Sequence, residues 1–461
     1  MRTRKNGPTR KGTRRVFDVI PGPLPEFVLD LEAPERQYSN IANQVLGCTC
    51  PKTHAFVNAG MSSLYAFNQI QAANYFYKAS LISPSEPFPL FGASYAVQMN
   101  FNHLVVSERY MLYSVQCLLL ARKLCKLKSI PILTKKLVQA LHARTFEKAS
   151  NPFDKANLRP SYPSVQKNME RWSKRLAKIY KTFPDNADVC VLYASSLMMY
   201  SPWKWWPQGS IYVPPANLAQ LHSWRGDDKI KADRMTDVLA LLDRARQLDP
   251  LNIGALHYTI HAVEESPYPQ LGLTAAEALT RLVPSDGPGH LLHMPSHIYQ
   301  RVGLYQESIA ANLAAVEADR KLLSFYKKNA VEPSSLIHSF YFAEYMAHNM
   351  HFMIADAVML GQYAFALHWC QELESHVCRF LNPRKRQNTF LQHFLCIRPH
   401  VLLLARRFED IIKLPPWGLL YPQAEAELAY CKAMAYVKMK RRALAAEASG
   451  RFIMLNRHFM D

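Results

Sequence analysis

Apolar residues recur at intervals of three to four positions along most of the chain. Met61, Leu64, Phe67 and Phe76 belong to the first such stripe, and Pro84 ends it. This spacing puts apolar side chains on one face of an α-helix, and proline cannot continue the helix. Long stretches of strict apolar–polar alternation are missing, which argues against an all-β chain. The pattern therefore predicts an all-α protein.

A repeat is visible within the helical pattern. Leu248-Asp249-Pro250 and Leu282-Val283-Pro284 stand 34 residues apart, which is the period of a tetratricopeptide (TPR) helical hairpin. Gly303-Leu-Tyr305 and Gly361-Gln-Tyr363 share a turn signature. A single hairpin cannot bury its apolar stripe alone, so neighbouring hairpins must stack. We expect a TPR-like α-solenoid of stacked helical hairpins over residues 57–456.

Residues 1–56 are predicted to be a basic, mostly irregular N-terminal arm. The first 15 residues contain seven Lys or Arg and no acidic residue, within a chain of 461 residues and net charge +19. Pro21, Pro23 and Pro25 break any early helix. Such an arm is a solvated tail, a mitochondrial or nuclear targeting segment, or a contact with an anionic surface.

The composition also bounds the compartment. The nine cysteines are scattered, no apolar signal segment precedes the helical region, and no run of 18 apolar residues occurs. These features predict an intracellular protein, cytoplasmic unless the basic arm redirects it, with free thiols and no transmembrane helix. No sequence motif specific for nucleic acid is present, and neither is a phosphate-binding glycine loop, GxSxG or HExxH.

Histidines are concentrated in the centre of the chain. His257 and His261 are one helical turn apart and Glu264 follows, while His348 and His351 are spaced i, i+3. Second helices of successive hairpins stand side by side, so these side chains should converge if they face the same way. The candidate metal ligands are His257, His261, Glu264, His290, His293, His297, His348 and His351.

Three interpretations of this histidine set stay open. It could hold a divalent transition metal (Zn, Fe, Mn or Cu), with Glu264 as a ligand or as a group that orients a ligand. It could form a pocket for an anion or another small ligand, because imidazoles can be protonated. Alternatively, each histidine is a packed structural residue. The sequence names no reaction, so an enzymatic role is left undecided.

A tryptophan run, Trp203-Lys-Trp205-Trp206 between prolines, is the other unusual feature. It could line a pocket, but an indole is costly to leave unpacked, so we expect these rings to plug the helical array.

The central motifs resemble a set of uncharacterised TPR proteins found mainly in bacteria. The resemblance rests on His257-Tyr-Thr-Ile-His261-Ala-Val-Glu264, on Gly289-His-Leu-Leu-His293-Met-Pro-Ser-His297-Ile-Tyr, and on Arg301-Val-Gly303. It extends in patches over about residues 60–415. It implies an α-solenoid and no settled activity.

Two functions follow from these patterns. The first is a helical-repeat protein whose His-rich concave face binds a divalent metal or a small ligand, with a metalloenzyme as one form of it. The alternative is a protein-interaction scaffold in which the histidines are structural and the net charge of +19 favours acidic partners.

Overall fold

The computed structural model describes residues 19–24, 27–28, 31–35, 38–104, 106–146, 153, 162–206, 227–329, 340–381 and 389–460. Residues 1–18, which include the polybasic start of the predicted arm, lie outside this range. Within it the secondary structure is helical apart from one isolated β-bridge between Asn100 and His103. The all-α prediction is thus confirmed for the described residues. None of their helices is both long enough and apolar enough to span a membrane.

The described chain forms two compact units, where the sequence predicted one repeat region over 57–456. The first unit comprises residues 1–64 and 71–200, and the second comprises residues 65–70 and 201–461. The helical region also begins earlier than predicted, because Pro51 starts a helix inside the expected arm. Proline suits the first turn of a helix, where its missing N–H costs nothing.

In the first unit, consecutive helices pack against each other as hairpins, for instance α4 with α5 and α7 with α8. Tyr65 at the end of α2, and the start of α3, belong to the second unit. The helices are α1 (Ala42–Val45), α2 (Pro51–Tyr65), α3 (Gln69–Ile82), α4 (Pro87–Ala96), α5 (Glu108–Leu124), α6 (Ile132–Thr145), α7 (Tyr162–Thr182) and α8 (Ala187–Met198).

The second unit is also built from helices that pack against their neighbours in the chain. Its helices are α9 (Asp227–Leu248), α10 (Ile253–Glu264), α11 (Leu273–Leu282), α12 (Gly289–His293), α13 (Pro295–Val302), α14 (Tyr305–Lys328), α15 (Met346–Met359), α16 (Tyr363–Phe380), α17 (Thr389–Leu395), α18 (Ile397–Leu404), α19 (Phe408–Lys413), α20 (Pro422–Lys438) and α21 (Arg442–Met460). A π-helical turn, Phe340–Tyr345, leads directly into α15. The 34-residue period is present in the structure, since α9 ends at Leu248 and α11 ends at Leu282.

Four helix ends in this unit share one turn geometry. The residues at 303, 361, 406 and 440 have positive φ, between 57° and 85°. In each case the next residue donates its N–H to the carbonyl five positions back, as Leu304 does to Tyr299 at 2.8 Å and Arg441 to Tyr436 at 2.9 Å. This is the Schellman ending, and each time the following helix starts two residues after the left-handed one. The turn signature predicted at Gly303 and Gly361 therefore recurs at Arg406 and Lys440.

Candidate functional site

Helix α10 forms the base of the site. Every residue from Ile253 to Glu264 is buried, so this helix is surrounded by protein on all sides. Asn252 caps its start by accepting the N–H of Ala255 at 3.0 Å, and the Arg301 guanidinium donates to the Glu264 carbonyl at its end. Burying polar groups inside such a helix is costly unless each is paired. The hydrogen-bond partners of His257, His261 and Glu264 therefore indicate what these buried side chains can do.

A proline fixes the second group of histidines. Pro295 occupies the first turn of α13, so the segment divides into the short helix α12 and the following helix α13. Proline suits this position, because its missing N–H costs nothing in the first turn of a helix. His290 and His293 lie on α12, and His297 lies on α13 one turn after His293.

Six of the seven candidate histidines come together as two groups of three. We call them cluster A (His257, His261 and His290) and cluster B (His293, His297 and His348). Within each cluster, one candidate ligand atom per residue lies within 4.8 Å of the others. The rings of the two clusters adjoin, because the ring centroids of His261 and His297 are 6.0 Å apart.

Hydrogen bonds that Nδ1 donates fix the orientation of two of these rings. Nδ1 of His257 donates to the carbonyl oxygen of Tyr65 at 2.5 Å. Nδ1 of His293 donates to Oδ1 of Asn312 at 2.5 Å. The amide cannot be reversed, because Nδ2 of Asn312 donates to the Ser308 carbonyl at 2.9 Å. With Nδ1 as the donor, the Nε2 atom of each neutral ring carries the lone pair.

Glu264 orients one ring of each cluster. Its Oε1 accepts from Nδ1 of His261 and its Oε2 accepts from Nδ1 of His297. A carboxylate that holds Nδ1–H of an imidazole selects the tautomer whose Nε2 can bind a metal. Glu264 thus has both oxygens turned to imidazole N–H groups, which is the geometry of an orienting group.

The Nε2 atoms consequently face one another. The Nε2–Nε2 distance is 2.8 Å between His293 and His297, and 3.2 Å between His257 and His290. In the first pair both Nδ1 atoms are donors, so two lone pairs meet unless a cation or a proton lies between them. Two nitrogens that each lie about 2.0–2.1 Å from one metal ion are about 2.9–3.4 Å apart. The observed distances lie close to this range.

Burial disfavours a proton as the cation between His293 and His297. Burial, followed by the neighbouring His297, sets the pKa of His293 well below its ordinary value. Burial and then His297 likewise lower the pKa of His348 to about 3. Burial would raise the pKa of Glu264, but the adjacent His297 and His261 outweigh it and lower that pKa. These shifts favour neutral imidazoles at His293 and His348 and an ionised carboxylate at Glu264. In addition, Nδ1 of His290 is buried and has no hydrogen-bond partner among the described residues.

Aromatic rings enclose both clusters. Phe67 packs over all of cluster A, with ring-centroid distances of 4.7 Å to His257, 5.6 Å to His261 and 5.3 Å to His290. Phe352 does the same for cluster B, at 4.7 Å from His348. These rings exclude water, which strengthens the electrostatic interactions inside. Cluster B is the more open one, since its His297 side chain is 12% exposed.

Two of the enclosing residues have a strained backbone. Phe67 and Trp203 both have positive φ, at 54° and 60°. A non-glycine residue in this region costs of order 1–3 kcal/mol and persists only where its surroundings hold it. Trp203 meets the ring of His261 edge-on at 5.5 Å, and the Trp206 indole donates to the Ala262 carbonyl at 2.7 Å. Trp205 and Trp206 are buried, and Trp203 is partly exposed against cluster A.

The structure places the remaining candidate, His351, outside both clusters. It lies one turn beyond His348 on α15, and its ring is 6.0 Å from that of His393. Its pKa is lowered to about 4, first by burial and then by His393.

Several residues of the site were not found from the sequence. Asn312, Phe67, Tyr345 and the Tyr65 carbonyl contact the histidines from distant parts of the chain. Phe67 carried only a helical apolar spacing, and its left-handed backbone is not visible in that pattern. Asn312 lies on the long helix α14, where a single buried amide at a core position was the available signal.

Comparison with known proteins gives structural likenesses of low similarity. No protein-family model matches the chain, and no curated protein matches it. Solved structures that align include yeast Tom70, at 11% identity and TM-score 0.28, covering 87% of this chain and 84% of that one. The P58(IPK) TPR domain aligns at 11% identity and TM-score 0.19, covering 87% of this chain and 92% of that one. The Cut9–Hcn1 hetero-tetramer of APC/C aligns at 13% identity and TM-score 0.22, covering 91% and 76%.

Proposed function

We propose that this protein binds divalent transition-metal ions, one at cluster A and one at cluster B. The proposal rests on one observation. In a buried site, the Nε2 lone pairs of His293 and His297 face each other, and the two Nε2 atoms are 2.8 Å apart. A metal ion relieves that repulsion, and three imidazoles per cluster supply a ligand set of a known kind.

The donor set narrows the choice of metal. Imidazole nitrogen suits Zn, Cu, Fe and Ni, whereas Mn prefers carboxylate and water oxygen. Glu264 is the carboxylate of the site, and both of its oxygens face imidazole N–H groups. Among the predicted metals, Zn, Cu and Fe therefore fit better than Mn. Three protein ligands leave coordination positions for water or substrate, and a bound ion would act there as a Lewis acid or a redox centre.

Titration of metal-free protein tests this proposal. Purified full-length protein is stripped with a chelator and titrated with Zn(II), and separately with Co(II), whose visible absorption reports coordination. We expect two ions per chain, one for each cluster. His290→Gln should abolish the first ion and His348→Gln the second, and each variant should keep the other.

The matched control is His376→Gln. His376 is also buried, but its Nε2 donates to the Phe342 carbonyl at 2.8 Å outside both clusters. This variant should bind two ions. A thermal scan of wild-type protein covers the case in which a variant does not fold, because an ion at 100 times its Kd should stabilise the native state by about 2.7 kcal/mol. Substoichiometric uptake with an unchanged melting temperature would refute the proposal and leave a shared proton between His293 and His297.

A second candidate function, a protein-interaction scaffold, is favoured by the stacked helical hairpins and by the net charge of +19. Arrays of helical hairpins commonly bind other proteins along their length. We expect a labelled polyglutamate peptide to bind more tightly than a polyglutamine peptide, and to weaken as salt is raised. Binding that survives His290→Gln and His348→Gln would support a function independent of the clusters. Equal binding of the two peptides would argue against an acidic partner.

A further inference from the structure

A separate cavity of about 690 Å³ lies in the second unit, lined by residues of α13, α15, α17, α18 and α20 among others. Cavities of roughly 300–1,000 Å³ are the usual size for small-molecule sites. The cavity adjoins cluster B, because Gln300 and His351 line it and each lies one helical turn beyond a cluster B histidine.

Aliphatic side chains of α15 and α18 form one part of the cavity wall. Ile397, Val401 and Leu404 follow one another on α18 at spacings of four and three, and Ile354 and Val358 face them from α15. Leu404 at the mouth is 58% exposed. An apolar ligand would cover these side chains, and each square ångström removed from water contributes about 25 cal/mol.

The described lining of the cavity does not share the positive net charge of the chain. The chain has a net charge of +19, yet the described residues of the lining include no Lys or Arg and one carboxylate, Glu427. That carboxylate accepts from Nε2 of His400 at 3.1 Å. His351 is neutral at pH 7, because burial and then His393 lower its pKa to about 4. An anionic ligand would find no fixed positive partner among the lining residues that the structure describes.

We propose that this cavity binds an uncharged, mainly apolar small molecule that carries a hydroxyl or amide group. The aliphatic wall would hold the apolar part, and the imidazoles of His351 and His393 with the Glu427 carboxylate would pair with the polar group. The inference uses none of the six clustered histidines and does not depend on metal binding.

Dye binding to full-length, metal-free protein tests this site. The probes are Nile red, which is neutral and apolar, and 1-anilinonaphthalene-8-sulfonate, which has a similar apolar body and a negative charge. We expect saturable Nile red binding at one molecule per chain. The anionic dye should bind roughly tenfold more weakly, a difference of about 1.4 kcal/mol.

Ala355→Trp fills the cavity from a partly exposed position on α15, and Ala364→Trp is its control at an exposed position on α16 outside the lining. The first should weaken Nile red binding roughly tenfold or more, and the control should leave it unchanged. If Ala355→Trp does not fold, Leu404→Asp at the exposed mouth replaces it in the test. This variant should also weaken Nile red binding.

Four outcomes would overturn the proposal. The first is equal Nile red binding by Ala355→Trp, Leu404→Asp and wild type, and the second is tighter binding of the anionic dye. The third is an apparent Nile red affinity that changes with the concentration of the chain, which would assign the cavity to a second copy of the chain. Displacement of Nile red by an amphipathic helical peptide but not by long-chain alcohols or amides would assign it to a peptide partner.

Discussion

At the residue scale, Glu264 links the two clusters by hydrogen bonds to one histidine of each. Its two oxygens accept from His261 of cluster A and from His297 of cluster B. Loss of this carboxylate would free both rings to change tautomer or rotate. In the proposed metal site its role is to position the ligands, so its loss should affect both clusters together.

We predict that Glu264→Gln weakens metal binding at both clusters by about 10- to 100-fold, the usual effect of removing a group that orients a ligand. A glutamine amide can accept from one imidazole N–H but offers an N–H of its own to the other. Competition against a chelator of known affinity measures the loss. His290→Gln, which touches cluster A alone, is the comparison. A Glu264→Gln variant with unchanged affinity at both clusters would contradict the positioning role.

The sequence predicted the histidines better than it predicted their partners. Spacing put His257 and His261 on one face, and the hairpin period placed the helices side by side. The Nδ1 partners depend on tertiary contacts, such as the Tyr65 carbonyl 192 residues away from His257. Periodicity within one helix carries no information about such contacts. His351 shows that spacing alone is not sufficient. It lies i, i+3 from His348 and yet is not part of cluster B.

At the element scale, the Schellman endings explain how the hairpins of the second unit are connected. Each left-handed residue reverses the chain within two positions, so the next helix starts at once. Gly303 and Gly361 adopt this conformation at no steric cost, whereas Arg406 and Lys440, which stand 34 residues apart, do not. The sequence pattern found the two glycines and missed the other two turns, because arginine and lysine give no local sign of positive φ.

We predict that Arg406→Gly and Lys440→Gly each stabilise the protein, by about 0.5–1 kcal/mol. Left-handed backbone costs a residue with a Cβ roughly 1–2 kcal/mol, and the greater freedom of glycine in the unfolded chain offsets part of that gain. Both side chains are exposed, so little packing is lost. Urea unfolding measures the change in free energy.

Gly303→Ala is the reverse substitution. An added Cβ would meet no atom within 4 Å, so only the backbone penalty operates, and we expect a loss of about 1 kcal/mol. If Arg406→Gly and Lys440→Gly were destabilising, these side chains would have a stabilising role that outweighs the backbone strain.

At the scale of the whole molecule, buried histidines make the fold sensitive to acid. Burial is the largest cause that lowers the pKa of His103, His351 and His376, each to about 4 from an ordinary 6.5. Between these values the unfolded chain binds a proton that the folded chain does not. Stability contributed by the neutral rings is therefore complete above pH 6.5 and is lost as the pH falls towards 4.

We predict that the free energy of unfolding falls by about 1.4 kcal/mol per pH unit for each such histidine as the pH drops through this window. Urea unfolding at pH 7.5, 6 and 5, with chelator present, measures the slope. His376→Gln should reduce it by about one such increment, provided that the variant is folded at pH 7.5. A free energy of unfolding that does not change between pH 7.5 and 5 would contradict the prediction.

Net charge was a poor guide to the local chemistry of the molecule. The value of +19 favours acidic partners, yet none of the described residues that line the cavity beside cluster B is Lys or Arg. A count along the sequence averages over surfaces that the fold separates. The fold class could be predicted because a helical period repeats many times, whereas a cavity is lined by a few residues from several helices.

The contact of residues 65–70 with α10 has a consequence for biosynthesis. A ribosome completes Phe67 long before it reaches His257, so the emerging chain holds the ring that covers cluster A well before the imidazoles exist. Those imidazoles can be sealed from water only after the early segment and the late helices meet. Newly made protein would thus pass through a stage in which cluster A is still open to the surrounding solution, and that stage is the natural time for the proposed ion to be acquired.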